Sequence, residues 1–344
     1  MTLFLFLVST TALSLVLTWV TRELALWGHL LDLPTPRSSH CRPTPRLGGV
    51  GIAASAVVAL ATAGHWASEL GVESTWPAFM VGGLIAATTG LADDVLTLRP
   101  SVKLVGQFAA IVPMLAVAVA ITGPGPIWLV ASIWVLVVAG YMNLFNFMDG
   151  SDGLAAGVAV VNGVALALLA DTGQWVVVPL ILSASALGFL FWNRPPASVF
   201  MGDAGSLFLG YGIAITGVML IASGISAWAV GIALTPMLGD GTLTLILRLT
   251  RRERVWEAHR SHLYQRLLVA GWSHGEVASF YWSWAAATGA AAVAYGHLPA
   301  WGQGLLALAA STSVAGVHQF VRDTENRFVC RSPETRRGEF RGES

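Results

Sequence analysis

Long apolar runs, interrupted by short polar or glycine-rich stretches, occupy the chain from its start to about position 320. A helix needs about 20 apolar residues to cross a bilayer. Eleven runs approach that length: 3–20, 47–64, 76–92, 104–121, 127–145, 154–170, 175–192, 207–223, 226–243, 277–296 and 302–320. The pattern predicts an all-α polytopic integral membrane protein with about 11 transmembrane helices. Connections such as Gly123–Gly125 and Asp171–Gln174 are short, so successive helices should be antiparallel neighbours within one membrane-embedded unit, 1–320. The first run lacks both a positive leader and a small-residue cleavage site before Arg22, so it reads as a retained span rather than a signal peptide. The tail 321–344 is rich in Arg and Glu, has no apolar run, and is expected to fray in the cytosol. No internal repeat and no second soluble domain emerges.

Composition sharpens the picture. Of 344 residues 55% are hydrophobic and 11% charged, against about 25% charged in an ordinary soluble domain, which excludes a soluble enzyme. The 19 Lys and Arg balance 19 Asp and Glu, so charge suggests no nucleic-acid partner. The distribution of those charges is far from even. With the N-terminus outside, the inner segments are 21–46, 93–103, 146–153, 193–206, 244–276 and the tail, and all 19 cations fall in them. Only Glu69, Glu73 and Asp171 remain outside, so 19 cations face 16 acids inside, +3, against −3 outside. Positive residues are retained on the cytoplasmic side, which predicts a multi-pass membrane protein with its C-terminus and inner loops in the cytoplasm. Trp76, Trp128, Trp175, Trp228 and Trp301 begin spans at the outer side and Trp66 ends one, as an interfacial indole belt would. Cys41 and Cys330 form no metal or disulfide pattern.

Carboxylates cluster at the inner helix ends. Asp93 and Asp94 close one span in LADDVLTLRPSVK, Asp149 and Asp152 lie in NLFNFMDGSDGLAAG, Asp203 in NRPPASVFMGDAGS, and Asp240 ends another run. Ionisable groups cost about 2.5–3.5 kcal/mol at mid-bilayer on insertion scales, and adjacent carboxylates repel unless a cation compensates. Mg²⁺ suits such a place: it takes oxygen ligands, often from one or two carboxylates, and completes its shell with water and phosphates. Mn²⁺ could stand in its place. Gly150, Gly153, Gly202 and Gly205 flank the acids and leave room for phosphate to approach backbone amides. One Asp-Gly pair alone would read as a turn; three such loops on one face point to a metal-phosphate site. Cations complement them: Arg37, His40, Arg42 and Arg46 in RSSHCRPTPRLGG, and Lys103 nine residues after Asp94. His259, His262 and Arg266 in EAHRSHLYQRL have i, i+3, i+7 spacing, expected to form one helical stripe able to bind a diphosphate or anionic lipid headgroups. His29, His65, His274, His297 and His318 have no evident ligand partner in sequence. A secondary transporter is the alternative reading, but it would set ionisable groups near the midplane on broken helices.

Taken together, DDVLTLRPSVK, NFMDGSDGLA, FWNRPPASVFMGDAGS and the His259–Arg266 segment resemble the bacterial polyprenyl-phosphate N-acetylhexosamine-1-phosphate transferases of glycosyltransferase family 4, relatives of the phospho-MurNAc-pentapeptide translocase. The likeness runs from about Asp32 to Arg266. It implies transfer of a sugar 1-phosphate from a UDP-N-acetylhexosamine to undecaprenyl phosphate, with Mg²⁺, at the cytoplasmic face, releasing UMP. By the resemblance, Asp203 is the metal ligand, with Asp152 beside it, and Asp93 and Asp94 stand near the lipid phosphate. Phe200 stacks on uracil, and Asn146, Asp149 and Asp152 form the nucleotide-side loop. Lys103 is the basic residue after the Asp pair, and Asn193 and Ala197 lead into the FMGD motif. Asp93, Asp94, Asp149, Asp152 and His262 are the candidate catalytic residues. Arg37, His40, Arg46, Lys103, Asn146, Asn193, Phe200, His259, Arg260 and Arg266 are the candidate substrate contacts. One departure stands out: many members carry His-x-His-His where this chain reads His262-Leu263-Tyr264-Gln265. That form resembles the subgroup that starts O-antigen chains, whose donors include 6-deoxy-HexNAc sugars as well as GlcNAc. Membrane lipid surrounds such a protein, and a homodimer is compatible with all of these features.

Overall fold

The structure, a computed structural model, describes residues 2–34, 42–65, 75–122, 127–170, 173–254 and 259–331. Helix α1 (Thr2–Trp27) leads into a two-residue antiparallel hairpin, β1 (Leu31–Asp32) with β2 (Thr44–Pro45), in which Leu31 faces Pro45 and Asp32 faces Thr44. There follow α2 (Gly48–His65), α3 (Trp76–Leu96), α4 (Pro100–Thr122), α5 (Ile127–Met148), α6 (Leu154–Leu169), α7 (Gln174–Asn193) and α8 (Gly202–Ala222). The C-terminal part comprises α9 (Ala227–Ala233), α10 (Thr235–Thr250), α11 (Leu263–Val269), α12 (His274–Tyr295) and α13 (Ala300–Arg331). The chain is an all-α polytopic membrane protein apart from that small hairpin.

Seven described helices are long and apolar enough to cross a membrane, or eight if α9 and α10 count as one span. Each of the eleven apolar runs falls on helix, but length and composition support a crossing for fewer of them. The run 226–243 is not one straight helix: α9 and α10 are bent by 85°. Pro236 sits in the first turn of α10, where its missing N–H is tolerated at a helix start but would break a continuous ladder.

At the centre stands α8, 94% of whose apolar window is buried, whereas α13 is at 6%. The outer helices therefore turn apolar side chains to lipid, and α8 is surrounded by α2, α3, α4, α5 and α7. Small residues let them approach: a Cβ on Gly90 of α3 would lie 2.1 Å from the Asp203 carbonyl oxygen. That contact sets the end of α3 directly against the start of α8.

Two expectations need correction. Helix α13 continues to Arg331 rather than fraying from 321, because Val321 is fully buried, Phe320 stacks on Phe280, and Glu325 is held by Arg266. The segment 332–344 lies outside the described residues. The indole belt is also incomplete: Trp76 and Trp175 are buried, Trp76 donating its ring N–H to the Leu60 carbonyl and Trp175 packing edge-on to Phe79. Trp228 and Trp301 are exposed; Trp66 and the side chain of Trp128 fall outside the described residues.

Candidate active site

Antiparallel succession brings the ends of α3, α5 and α7 and the starts of α4, α6 and α8 to one end of the bundle, and the acidic motifs occupy those ends. The α3–α4 turn is short because Thr97 takes a left-handed conformation (φ 52°) and its N–H returns to the Asp93 carbonyl at 2.9 Å. Asp93 is thereby brought within reach of Lys103. The Lys103 ammonium lies 3.3 Å from Asp93 Oδ2, donates to Asp203, and lies 3.5 Å from Asn146 Oδ1. Asn146 Nδ2 donates to Asp203 Oδ1 at 2.8 Å and to Ser206 Oγ at 2.7 Å. Asp94 turns the other way, and its two oxygens accept from the backbone N–H groups of Asp203 (2.9 Å) and Ala204 (3.0 Å). A carboxylate at the start of α8 satisfies donors that lack an intrahelical partner and complements the positive helix end.

Asp94, Asn146 and Asp203 belong to the wall of a cavity of about 510 Å³, which Asp149, Asp152, Asn193, Phe200, Arg260, Asp32 and Arg46 also line; Lys103 and Asp93 are not on that wall and connect to it through Asp203. Asn193 pins two of its loops, its Oδ1 accepting from Gly153 N at 2.9 Å and its Nδ2 donating to the Val199 carbonyl at 3.0 Å. Asp152 Oδ2 accepts from Ala197 N at 2.9 Å. Asp149 differs from the others in that no described residue hydrogen-bonds its carboxylate. Burial raises its pKa well above 3.8, and the negative charges of Asp203, Asp94 and Asp152 raise it further. Such crowding of oxygen ligands suits a hard cation that needs few protein ligands. Among the described residues no group of three His, Cys, Asp or Glu is arranged as a ready-made metal cage.

Several sequence candidates are placed elsewhere. The expected stripe of His259, His262 and Arg266 does not exist, because α11 begins at Leu263 and His262 is its extended N-cap (ψ 148°); helical spacing does not apply before that point. His262 is 2% exposed and its Nδ1 faces Asp240 Oδ1 at 3.2 Å, away from the cavity lining. The ring of His259 lies 4.9 Å from that of His262. Burial, then the nearby His262 and Arg248, lower the His259 pKa to about 4, so at neutral pH it offers a diphosphate no positive charge. Arg266 is engaged by Glu325 through two contacts, at 2.6 and 2.8 Å, and is not part of the cavity wall. Arg37 and His40 lie outside the described residues.

Other residues reach the site without having been expected there. Asp32 binds Arg46 at 2.7 Å across the hairpin, and Gln265, Leu268 and Val269 line the cavity. His274, which looked bland, accepts from Asp152 N at 3.2 Å and faces Ser151 Oγ at 3.0 Å. The sequence held one signal for it: Ser273 and Glu276 form a capping box that fixes the start of α12 beside this loop.

The sequence pattern of glycosyl transferase family 4 matches residues 76–221, the stretch from α3 to α8 that carries the Lys103 network. A probable undecaprenyl-phosphate N-acetylglucosaminyl 1-phosphate transferase of Bacillus subtilis is 32% identical over 283 residues, covering 76% of this chain and 75% of that protein. A decaprenyl-phosphate N-acetylglucosaminephosphotransferase of Mycolicibacterium smegmatis is 32% identical over 309 residues, 77% and 75% of the two chains. A phospho-N-acetylmuramoyl-pentapeptide-transferase of Synechococcus is 32% identical over 267 residues, 69% and 75%.

Proposed function

The chain belongs to glycosyl transferase family 4, the polyprenyl-phosphate N-acetylhexosamine-phosphate transferases, and from that premise we propose that it transfers N-acetylhexosamine 1-phosphate from a UDP-sugar to undecaprenyl phosphate. An oxygen of the lipid phosphate forms a bond to the sugar-side phosphorus. The bond between the two donor phosphates breaks, and UMP leaves with the electron pair. GlcNAc is the first donor to consider, since the names of two relatives carry it; 6-deoxy sugars such as FucNAc or QuiNAc are the second, from the His262 form of the motif. The product would start O-antigen or a related surface polysaccharide at the cytoplasmic face of a bacterial inner membrane, where the 19 cations are expected to lie.

The observation that carries this reading is the network of Lys103, Asp93, Asn146 and Asp203 beside a polar cavity. Asp203 and Asp152 would hold Mg²⁺, with the unpartnered Asp149 next to them. When bound, the ion neutralises charge on the donor diphosphate and the departing UMP. Lys103 balances Asp93 and Asp203 and keeps both oriented. Phe200 supplies a ring face for uracil, while Arg46 and Arg260 supply positive charge at the cavity wall. Asp93 already accepts from Leu98 N at 2.7 Å and faces Lys103. A phosphate monoester with second pKa near 6 is mostly ionised at neutral pH. A positioning role for Asp93 therefore suits the chemistry better than proton removal.

The test is UMP release by the purified protein with undecaprenyl phosphate and a panel of UDP-N-acetylhexosamines, with and without Mg²⁺ or Mn²⁺. Divalent-ion-dependent turnover with one donor is the expected result; inactivity with every donor would overturn the reading.

A further inference from the structure

Asp240 is a fully buried carboxylate of α10 that does not line the cavity. Its surroundings are nevertheless unusually rich in donors. Oδ1 accepts from Leu263 N at 2.9 Å and Thr244 Oγ1 at 3.1 Å and faces His262 Nδ1 at 3.2 Å. Oδ2 accepts from Tyr281 Oη at 2.6 Å and Tyr264 N at 3.3 Å. One side chain thus joins α10, α11 and α12.

The position of α10 at this point is fixed from both sides. A Cβ on Gly239 would lie 2.6 Å from Val314 of α13, and one on Gly241 would lie 2.5 Å from Leu144 of α5. Helix α11 is the dependent partner. Seven residues are too few to hold a helix in isolation, and the Leu263 and Tyr264 amides are among those a helix start leaves without an internal acceptor. Its other anchors are Tyr264 Oη, which donates to the Phe147 carbonyl at 3.0 Å, and Arg266 nearer its end, paired with Glu325 of α13; only Asp240 takes up the amides of its first turn. Part of the cavity wall depends on this arrangement, because Arg260, Gln265, Leu268 and Val269 all belong to α11 or its lead-in, and Tyr264 packs against Gly150 of the Asp149–Asp152 loop.

We infer that Asp240 is a positioning residue: anchored in a rigid helix, it holds α11 so that Arg260 and Gln265 meet the nucleotide-sugar donor. The donor assignment rests on the transfer reaction proposed above, whereas the hold on α11 does not.

The test pairs kinetics with amide hydrogen exchange, on Asp240→Asn and Tyr281→Phe in the full-length protein in detergent. Asp240→Asn keeps the shape but loses the charge and one acceptor. Its KM for UDP-GlcNAc, or for whichever donor proves active, should rise about tenfold, the effect of losing a hydrogen bond to a charged group. Its kcat and the KM for undecaprenyl phosphate should stay within about threefold of wild type, a split that general destabilisation does not produce. Exchange over 259–269 should accelerate while that over 202–222 does not. Tyr281→Phe, which removes a single donor, should move the same quantities less and serves as the test if Asp240→Asn does not fold. An unchanged donor KM, or unchanged exchange over 259–269, overturns the inference. If the wild-type protein turns over no donor, the proposed reaction fails, and the exchange measurement still decides whether Asp240 holds α11.

Discussion

The Asp94 carboxylate occupies the space a side chain at Gly202 would need: a Cβ there would lie 2.7 Å from Oδ2 and 2.8 Å from Oδ1. The bare glycine, at φ 68°, lets α3 deliver a carboxylate onto the first amides of α8. Asp203 is thereby fixed in the cavity wall by a residue more than a hundred positions earlier.

Gly202→Ala should therefore injure the site twice. It places an L side chain in the left-handed region, at a cost of about 1 kcal/mol or more, and it pushes Asp94 off its two donors. The expected outcome is a fall in kcat/KM of at least about tenfold with the protein still monodisperse in detergent, since misplacement near reacting groups is costly in rate. Wild-type kcat/KM in a folded Gly202→Ala protein would show that the Asp94 contact is dispensable.

Lys103 has side-chain exposure of 18%, and its partners Asp93 and Asp203 have 20% and 22%. Lys103→Met would leave two facing carboxylates without their cation. Removing one member of a largely buried charge cluster costs on the order of 3 kcal/mol of stability, and because Asp203 loses the cation that orients it, activity should also drop, about a hundredfold for the same loss at the transition state. Lys103→Arg should recover little, because a planar fork does not reproduce a compact ammonium that faces three groups. The revealing measurement is the double variant Lys103→Met with Asp93→Asn. If the network acts as a unit, the second change restores thermal stability in part, whereas strict additivity would mean the pair is not coupled.

The portion of the site that was legible in the sequence consists of residues whose neighbours are fixed by helix ends. Asp93 and Lys103 flank a turn too short to separate them, and Asn146 and Asp203 each end or begin a long apolar run, so bundle topology alone brings them together. Local spacing misleads over His259–Arg266, because the helical repeat starts only at Leu263, at a boundary that tertiary contacts define. Nothing local in EAHRSHLYQRL announces that Asp240, more than twenty residues back, caps the helix at Leu263. Likewise Arg266 looked like a free cation for a phosphate because its partner Glu325 is 59 residues away. Periodicity reports which way a helix faces, but the choice of partner for a charged group depends on which distant elements pack beside it.

Asp149 gives a pH prediction. Burial, together with Asp203, Asp94 and Asp152, raises its pKa above the ordinary 3.8, so the folded state binds this proton more tightly than the unfolded chain does. Stability then falls as pH rises from the ordinary carboxylate value through the raised one, and the penalty is complete above it. Without divalent ions, the melting temperature of the wild-type protein should decline relative to that of Asp149→Asn as pH rises from the ordinary carboxylate value of 3.8. A divalent cation that offsets the carboxylate repulsion should narrow the gap at the alkaline end. Parallel melting curves for the two proteins across this range would contradict the assignment.

Arg266 and Glu325 supply the last test. If Arg266 served the substrate, Arg266→Gln would raise a KM and Glu325→Gln would not. The two-point ion pair between α11 and α13, at 2.6 and 2.8 Å, predicts equivalence instead: each single change should lower stability by about 1 kcal/mol, and the double change should cost little more than either alone. Side-chain exposures of 20% and 31% keep the magnitude modest, since solvent screens part of the attraction, and the effect should shrink in high salt. Thermal melts of the three variants at two salt concentrations measure it. Additive losses, or a KM change confined to Arg266→Gln, would return Arg266 to the substrate side of the cavity.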